Sequence, residues 1–218
     1  MLKADLHIHS QYSMDCSLSL EEIIKRCLEL DINCIALADH GTVEGGLKMQ
    51  TLAPFPVIVA EEILTPHGEI MGMFLKETIP SGLSVTETLS RIKSQDALVC
   101  VPHPFDTLRP SALGGKVLAE IKDQVDLIEV FNARDMLRRH SDEARRFAQK
   151  HGLPGSAGSD SHTLREIGNA YIEMPEFNGK EEFLQSLARG KIVGHRTNPL
   201  VHFASLNNKL NKLRKHFP

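Results

Sequence analysis

Two histidines one residue apart open the chain, in the stretch Asp5-Leu6-His7-Ile8-His9. In an extended strand alternate residues share a face, so Asp5, His7 and His9 would point together and the two imidazoles would form half of a metal site. A lone His-x-His is as readily a surface feature of an edge strand. Recurrence is what gives it chemical meaning: Asp39 and His40, Glu62, His103, Asn132, Asp160 and His162 each stand near the end of an apolar or small-residue run of strand length. Imidazoles and carboxylates without thiolates suit borderline or harder divalent ions such as zinc, manganese or iron. The candidates outnumber the roughly four ligands that a tetrahedral zinc takes. More than one ion is therefore implied, with carboxylates such as Glu62 and Asp160 able to bridge neighbours. Ions held close together can activate water and bind both the attacking and the leaving oxygen of a displacement, and hydrolysis of a phosphate ester is the natural use of such a centre.

The elements that must carry these residues alternate along the chain. Residues 34–38, 56–60, 97–101 and 126–130 read as buried strands, and residues 155–158 as a small-residue strand. Between them, helices fit residues 20–30, 43–52, 84–95, 116–122 and 141–151. Ser19 with Glu22, and Ser84 with Glu87, have the spacing of a capping box, and Gly152 stands where a left-handed residue ends a helix. Residues 70–75 are expected to return beside the third strand, and residues 170–173, 180–189 and 191–193 to close the chain as strand, helix and strand. Strands alternating with helices call for parallel β-structure with helices outside. Seven such strands would close a barrel, whose functional residues gather at the rim formed by the strand C-termini.

With 218 residues and 41% hydrophobic content, one sizeable core and one domain are expected. A formal charge of -3 in mixed order leaves no basic face for an extended nucleic acid. Cys16, Cys27, Cys34 and Cys100 never form a Cys-x-x-Cys pair, so they read as reduced, packed thiols. No apolar run approaches the roughly 18 residues of a membrane span, and no signal core follows Met1, so a cytoplasmic location without membrane partners is expected.

Taken in order, Asp5-Leu6-His7-Ile8-His9-Ser10, Tyr12-Ser13 with Asp15, Ala38-Asp39-His40, Glu62-Ile63, His103-Pro104-Phe105, Glu129 through Asn132, and Gly158-Ser159-Asp160-Ser161-His162 resemble the PHP (polymerase and histidinol phosphatase) family. The resemblance implies an α/β fold, a distorted (β/α)7 TIM-like barrel in a single domain, with two or three divalent metal ions (zinc, manganese or iron) and hydrolysis of phosphoesters. Carried over residue by residue, it implies His7, His9, Glu62 and Asp160 for one ion. Asp15, His40 and His162 fall to a second ion, Asp15 standing where some relatives have histidine. Glu62 would bridge to a third ion that His103 also holds. There the sequence departs from the pattern: Asn132 stands where some relatives present a histidine, and Glu69 where others have one. A weakly held third ion is expected, with Glu69 or Asn132 as its extra ligand. Asp15 and His40 are also the candidates to assist the leaving oxygen.

A phosphate needs cations besides metals, and Arg109 and Arg134 are placed at the same rim, where guanidinium groups bind phosphate oxygens in pairs. Arg196 is a weaker third candidate. Arg138, Arg139 and His140 read as the solvated start of the next helix. Ser10 and Ser159 are candidates for orienting ligands, Cys16 for packing and His67 for a turn; His151, His202 and His216 have no assigned role. The barrel is expected to span residues 1–203, and residues 204–218 to form a basic tail or short helix with Leu206, Leu210 and Leu213 docked and the lysines solvated. The expected activity is that of a metal-dependent phosphoric ester hydrolase, acting through metal-activated hydroxide on a small phosphorylated metabolite or nucleotide. Two alternatives stand beside it. One is a metal-binding regulatory module without turnover. The other is a metal-dependent amidohydrolase, which would want a lysine at a strand end, where this chain has none. The sequence leaves the oligomeric state open.

Overall fold

Ser19 and Glu22 show how local sequence starts an element. The Ser19 hydroxyl accepts from Glu22 N at 3.2 Å and the Glu22 carboxylate accepts from Ser19 N at 2.9 Å, a reciprocal cap that satisfies two otherwise orphaned donors. Ser84 caps its helix by accepting from Glu87 N, and Gly152, at φ 67°, ends the helix before it. In the computed structural model, which describes residues 1–198, the elements run β1 (Leu2–Ile8), α1 (Leu20–Glu29), β2 (Cys34–His40), α2 (Glu44–Leu52), β3 (Val57–Thr65), β4 (Gly68–Met73), α3 (Val85–Ser94), β5 (Leu98–Val101), α4 (Gly115–Ile121), β6 (Leu127–Asn132), α5 (Arg138–His151), β7 (Gly155–Gly158), β8 (Ala170–Met174), α6 (Gly179–Ala188) and β9 (Lys191–Gly194). The tail expected at 204–218, with His202 and His216, lies outside the described residues.

The strands form one sheet in the order β7-β6-β5-β4-β3-β2-β1-β8-β9. It is not wholly parallel as the alternation suggested. β4 runs against both β3 and β5, and β8 against both β1 and β9. Only Pro66 and His67 join β3 to β4, and two residues can make a hairpin but never the long crossover that a parallel neighbour needs. The sheet curls until its far edge meets β1. Asp160 N donates to His7 O at 2.7 Å, His9 N donates to Ser161 O at 3.1 Å, and Ile8 bridges to Ser161 in parallel. The mixed α/β fold is thus a single domain around a nearly closed barrel.

Inside the barrel pack Leu2, Ala4, Leu6, Ala36, Ala38, Ala60, Met71 and Cys100, with Phe183 and Leu187 of α6 completing the cluster. Outside, Ile8, Ile35 and Leu37 pack with Ile23 and Cys27 of α1. A second outer cluster joins Val59, Ile70 and Val99 to Leu89 and Ile92 of α3. Burying each of these large side chains contributes about 1.5–3 kcal/mol. All four cysteines are free and buried. No helix among the described residues is long and apolar enough to cross a membrane.

The interior and exterior lists reveal a break in β1. Asp5 pairs with Ile35 but Ile8 pairs with Leu37, so β1 carries one extra residue across a bulge, which reverses the facing of everything beyond it. Ala4 and Leu6 face inward before the bulge; after it Ile8 faces the outer helices and His7 and His9 face the mouth. Asp5 therefore does not share a face with the two histidines, as simple alternation predicts. It accepts instead from Ser159 N and Gly168 N, and burial raises its pKa to about 6. A second bulge, between Glu129 and Phe131 of β6, lets Glu129 and Asn132 meet although they stand three positions apart.

Candidate metal centre

The turned-in end of β1 is where the rim residues converge. His7 Nε2 and His9 Nε2 lie 3.1 Å apart. Glu62, from the middle of β3, stands between two pairs of imidazoles. Its Oε1 is 3.3 Å from His7 and 3.0 Å from His103, and its Oε2 is 3.4 Å from both His9 Nε2 and His40 Nδ1. A carboxylate with each oxygen on a different pair has the form of a bridge between neighbouring ions. Asp160 Oδ1 is 3.3 Å from His9 and 3.9 Å from His7. Its other oxygen is already taken by Arg109 Nη2 at 2.7 Å and Asn132 Nδ2 at 3.2 Å. Asp15 lies 3.1 Å from His162 Nε2 and 3.5 Å from His40 Nε2. All the residues expected to be ligands, His7, His9, Asp15, His40, Glu62, His103, Asp160 and His162, are thus brought together. The backbones of Asp160 (φ 53°) and His103 (φ 30°) take positive φ, a conformation that costs energy for residues other than glycine.

Glu69 joins them, whereas the Asn132 side chain is engaged in hydrogen bonds. Glu69 reaches from the start of β4 to within 3.6 Å of both His40 and His103. Asn132 spends its amide on Glu129 and Asp160, and its carbonyl on Arg134 N, so it orients carboxylates instead.

The charges fit cations. Burial alone would push His7 down, but Glu62, Glu129 and Asp160 outweigh it and hold it well above its ordinary value. Burial and the neighbouring His162 take His9 to about 3. His40, also opposed by burial, is raised to about 10 by Asp15 and Glu62. Burial would raise Glu62 and Asp160, but the facing imidazoles hold Glu62, and Arg109 with His7 holds Asp160, well below the carboxylate range. Glu69 is pushed up by burial and by Glu62 beside it. Asp15 Oδ1, Glu62 Oε2, Glu69 Oε2 and Asp160 Oδ1 are buried without a hydrogen bond. Such atoms are costly unless a cation compensates them. His9, His40 and His162 each offer a ligand atom within 4.8 Å of the others, as do His7, His9 and Glu62, and His40, Glu62 and Glu69. These residues fit divalent metal ions.

Behind the ligands lies a second layer, in which sequence reading left Ser13, Glu129 and Glu166 without roles. Glu129 Oε1 accepts from His7 Nδ1 at 3.0 Å, and its Oε2 accepts from His103 N at 2.8 Å, fixing the His7 tautomer that leaves Nε2 free for an ion. Ser13 Oγ bonds His9 Nδ1 at 3.2 Å and donates to Asp39 Oδ1 at 2.9 Å. Ser10 also binds Asp39, so its part in orienting ligands is indirect. Ser159 Oγ donates to His7 O. Cys16 is buried, with its thiol against the carbonyls of His9 and His162. Glu166 accepts from His162 N at 3.1 Å and faces Arg134 Nε at 3.3 Å.

The arginines divide. Arg109 is partly exposed and reaches Asp160. Arg134 is buried, with Nη1 2.6 Å from His162 Nδ1. Arg196 lies elsewhere, donating to Asp135 O and Ser141 Oγ. His140, expected to be solvated, is 2% exposed: α5 begins at Arg138, and His140 turns under the loop after β5 to meet Thr107. Arg138 and Arg139 are exposed as expected, and His67 lies in the turn between β3 and β4, as expected.

The sequence profile of the PHP domain matches residues 5–74 and that of the PHP-associated region residues 138–192. An uncharacterized protein of Methanocaldococcus jannaschii is 32% identical, over 96% of this chain and 93% of its own length. The chain belongs to the PHP family. A two-domain protein of Bacteroides vulgatus containing a PHP-like metal-dependent phosphoesterase has the same fold, with a TM-score of 0.69 at 17% identity, covering 95% of this chain and 69% of its own. So does an amidohydrolase of Chromobacterium violaceum with bound sulfate and no metal, at a TM-score of 0.64 and 15% identity over 76% of this chain and 89% of its own. The PHP profile covers β1 through β4, and with them His7, His9, Asp15, His40, Glu62 and Glu69. Of the rest of the centre, Asp160 and His162 lie within the PHP-associated segment, and His103 falls between the two matched segments.

Proposed function

We propose that this PHP protein is a phosphoric ester hydrolase using two or three divalent ions of zinc, manganese or iron. The observation that carries the reading is Glu62, with one oxygen toward His7 and His103 and the other toward His9 and His40, a bridge that one structural ion would not require. His7, His9, Glu62 and Asp160 would hold one ion, Asp15, His40 and His162 a second, and Glu62, His103 and Glu69 a third. Bound ions supply a lowered pKa for water and neutralisation of phosphoryl charge.

The chain's own residues complete the site. The side chains of His7, His9, Glu62, His103 and Asp160 are fully buried, whereas those of Asp15, His40 and Arg109 are 22%, 27% and 19% exposed. The substrate therefore approaches over Asp15, His40 and Arg109. Arg109 offers its guanidinium to the phosphoryl oxygens, and Arg134 adds positive charge behind His162. The leaving group departs past Asp15 and His40; with the second ion absent, the His40 imidazolium, which Asp15 and Glu62 hold protonated, would deliver the proton to the leaving oxygen. A formal charge of -3 in mixed order favours a small phosphorylated metabolite or nucleotide over an extended nucleic acid. The reduced, buried cysteines agree with a cytoplasmic setting.

Incubating metal-loaded protein with p-nitrophenyl phosphate, its bis-ester and a panel of phosphorylated metabolites tests the reading. Release of phosphate or nitrophenol that is lost on chelation is expected. Hydrolysis of amide substrates, run beside these esters, without hydrolysis of any ester would assign the amidohydrolase alternative, and no turnover of either class with zinc, manganese or iron would make the protein a metal-binding module.

A further inference from the structure

Another group of ligand-type side chains lies on the same rim, apart from the centre. Asp106 follows β5 on the loop that carries Arg109, Asp135 follows β6, and His140 sits in the first turn of α5. They are 6%, 3% and 2% exposed, and one ligand-type atom from each lies within 4.8 Å of the others.

Their existing contacts leave part of this potential unused. Asp106 Oδ1 accepts from Leu108 N at 3.0 Å, and its Oδ2 is 3.6 Å from Arg109 Nε. Asp135 Oδ2 accepts from Ser141 Oγ at 3.4 Å. His140 Nε2 meets Thr107 Oγ1 at 3.1 Å. Its Nδ1 is 3.3 Å from Asp106 Oδ1 but out of hydrogen-bonding alignment. Asp135 Oδ1 and His140 Nδ1 are both buried without any hydrogen bond, an arrangement that native interiors rarely tolerate without a ligand or water. Burial, and then Glu129, push Asp135 up to about 7, and burial pushes His140 down. A neutral imidazole donating Nε2–H to Thr107 presents its Nδ1 lone pair, as a metal ligand must.

We propose that Asp106, Asp135 and His140 form a further divalent-cation site, distinct from the centre built on His7, Glu62 and Asp160. Two carboxylates and one imidazole suit manganese or zinc. An ion there ties the Arg109 loop to the exit of β6 and the start of α5, so that the arginine nearest the substrate is held from beneath.

The test strips the full chain of metal, reloads it with manganese or zinc, removes excess by gel filtration and counts ions per chain by mass spectrometry. His140→Gln and Asp135→Asn, with circular dichroism unchanged, are each expected to hold one ion fewer than wild type. Equal metal content in the folded variants overturns the proposal. Should the variants not fold, anomalous diffraction from manganese- or zinc-loaded wild-type crystals decides. A peak about 2.0–2.2 Å from all three side chains supports the site, and a water without anomalous signal there overturns it.

Discussion

Glu129→Gln is the sharpest probe of how this centre is built, because it changes one atom's chemistry and leaves the shape alone. Glu129 Oε1 accepts from His7 Nδ1 and its Oε2 accepts from His103 N and Asn132 Nδ2. A glutamine has one acceptor oxygen for these donors. If that oxygen stays with His103 N and Asn132, the amide NH2 faces His7 Nδ1. His7 must then move its proton to Nε2, which removes the lone pair from the ion's side. Loss of such an orienting partner costs about 10–100-fold in metal affinity, or about 1.4–2.7 kcal/mol. The assay is competition for zinc against a chelator of known affinity, on wild type, Glu129→Gln, His7→Gln and the double variant. If Glu129 acts through His7, the second substitution adds little once His7 is gone, and the cycle shows strong coupling. Additive losses, or a folded Glu129→Gln protein binding zinc within about twofold of wild type, would refute the tautomer argument.

Chelation should abolish hydrolysis, and zinc, manganese or iron should restore it, as phosphate release records. Arg109→Ala should lower kcat/KM for a phosphomonoester by about 10²–10³-fold, as removal of a donor to developing charge does, with metal content unchanged. Gly158→Ala should disturb the centre although residue 158 ligates nothing: an added Cβ would meet His7 Cβ at 2.3 Å and His7 N at 2.6 Å. Such overpacking costs typically about 1–3 kcal/mol, and both Tm and bound metal should fall. Glu61 tests burial away from the mouth. Burial raises it from 4.5 to about 7, so the folded chain holds this proton to higher pH than the unfolded chain, and stability is lost as pH rises from 4.5 through 7. Glu61→Gln should therefore gain on wild type by a few kcal/mol between about pH 5 and pH 8, measured by urea denaturation.

Most of the clustered side chains were legible in this sequence because a strand exit is visible as an apolar run ending in His, Asp or Glu. What lay beyond it needed geometry. Asp5 looked like a partner of His7 because alternation assumes an unbroken strand, and no residue type marks the bulge that separates them. Glu129 stood in a quoted motif without a role, since on a regular strand it would face away from Asn132. The burial of His140 arises from a loop more than thirty positions earlier in the chain, through Thr107, and helical periodicity carries no trace of such a cover. The orientation of β4 was readable from the two-residue turn before it. That of β8 was not, because its neighbour β1 is at the other end of the chain.

The β3–β4 hairpin gives one part of the centre a freedom the rest lacks. His7, His9 and Asp160 are locked together by the seam where the barrel closes, but Glu69 arrives on a strand running the opposite way, aligned with Leu64. Shortening or lengthening the tip at Pro66 and His67 by two residues would slide Glu69 toward or away from His103 while keeping its facing, whereas a change of one would turn it outward. The Glu69 corner of the cluster is therefore a separately adjustable module, and a lineage could strengthen, weaken or discard it by altering one loop, with the rest of the clustered side chains left in place.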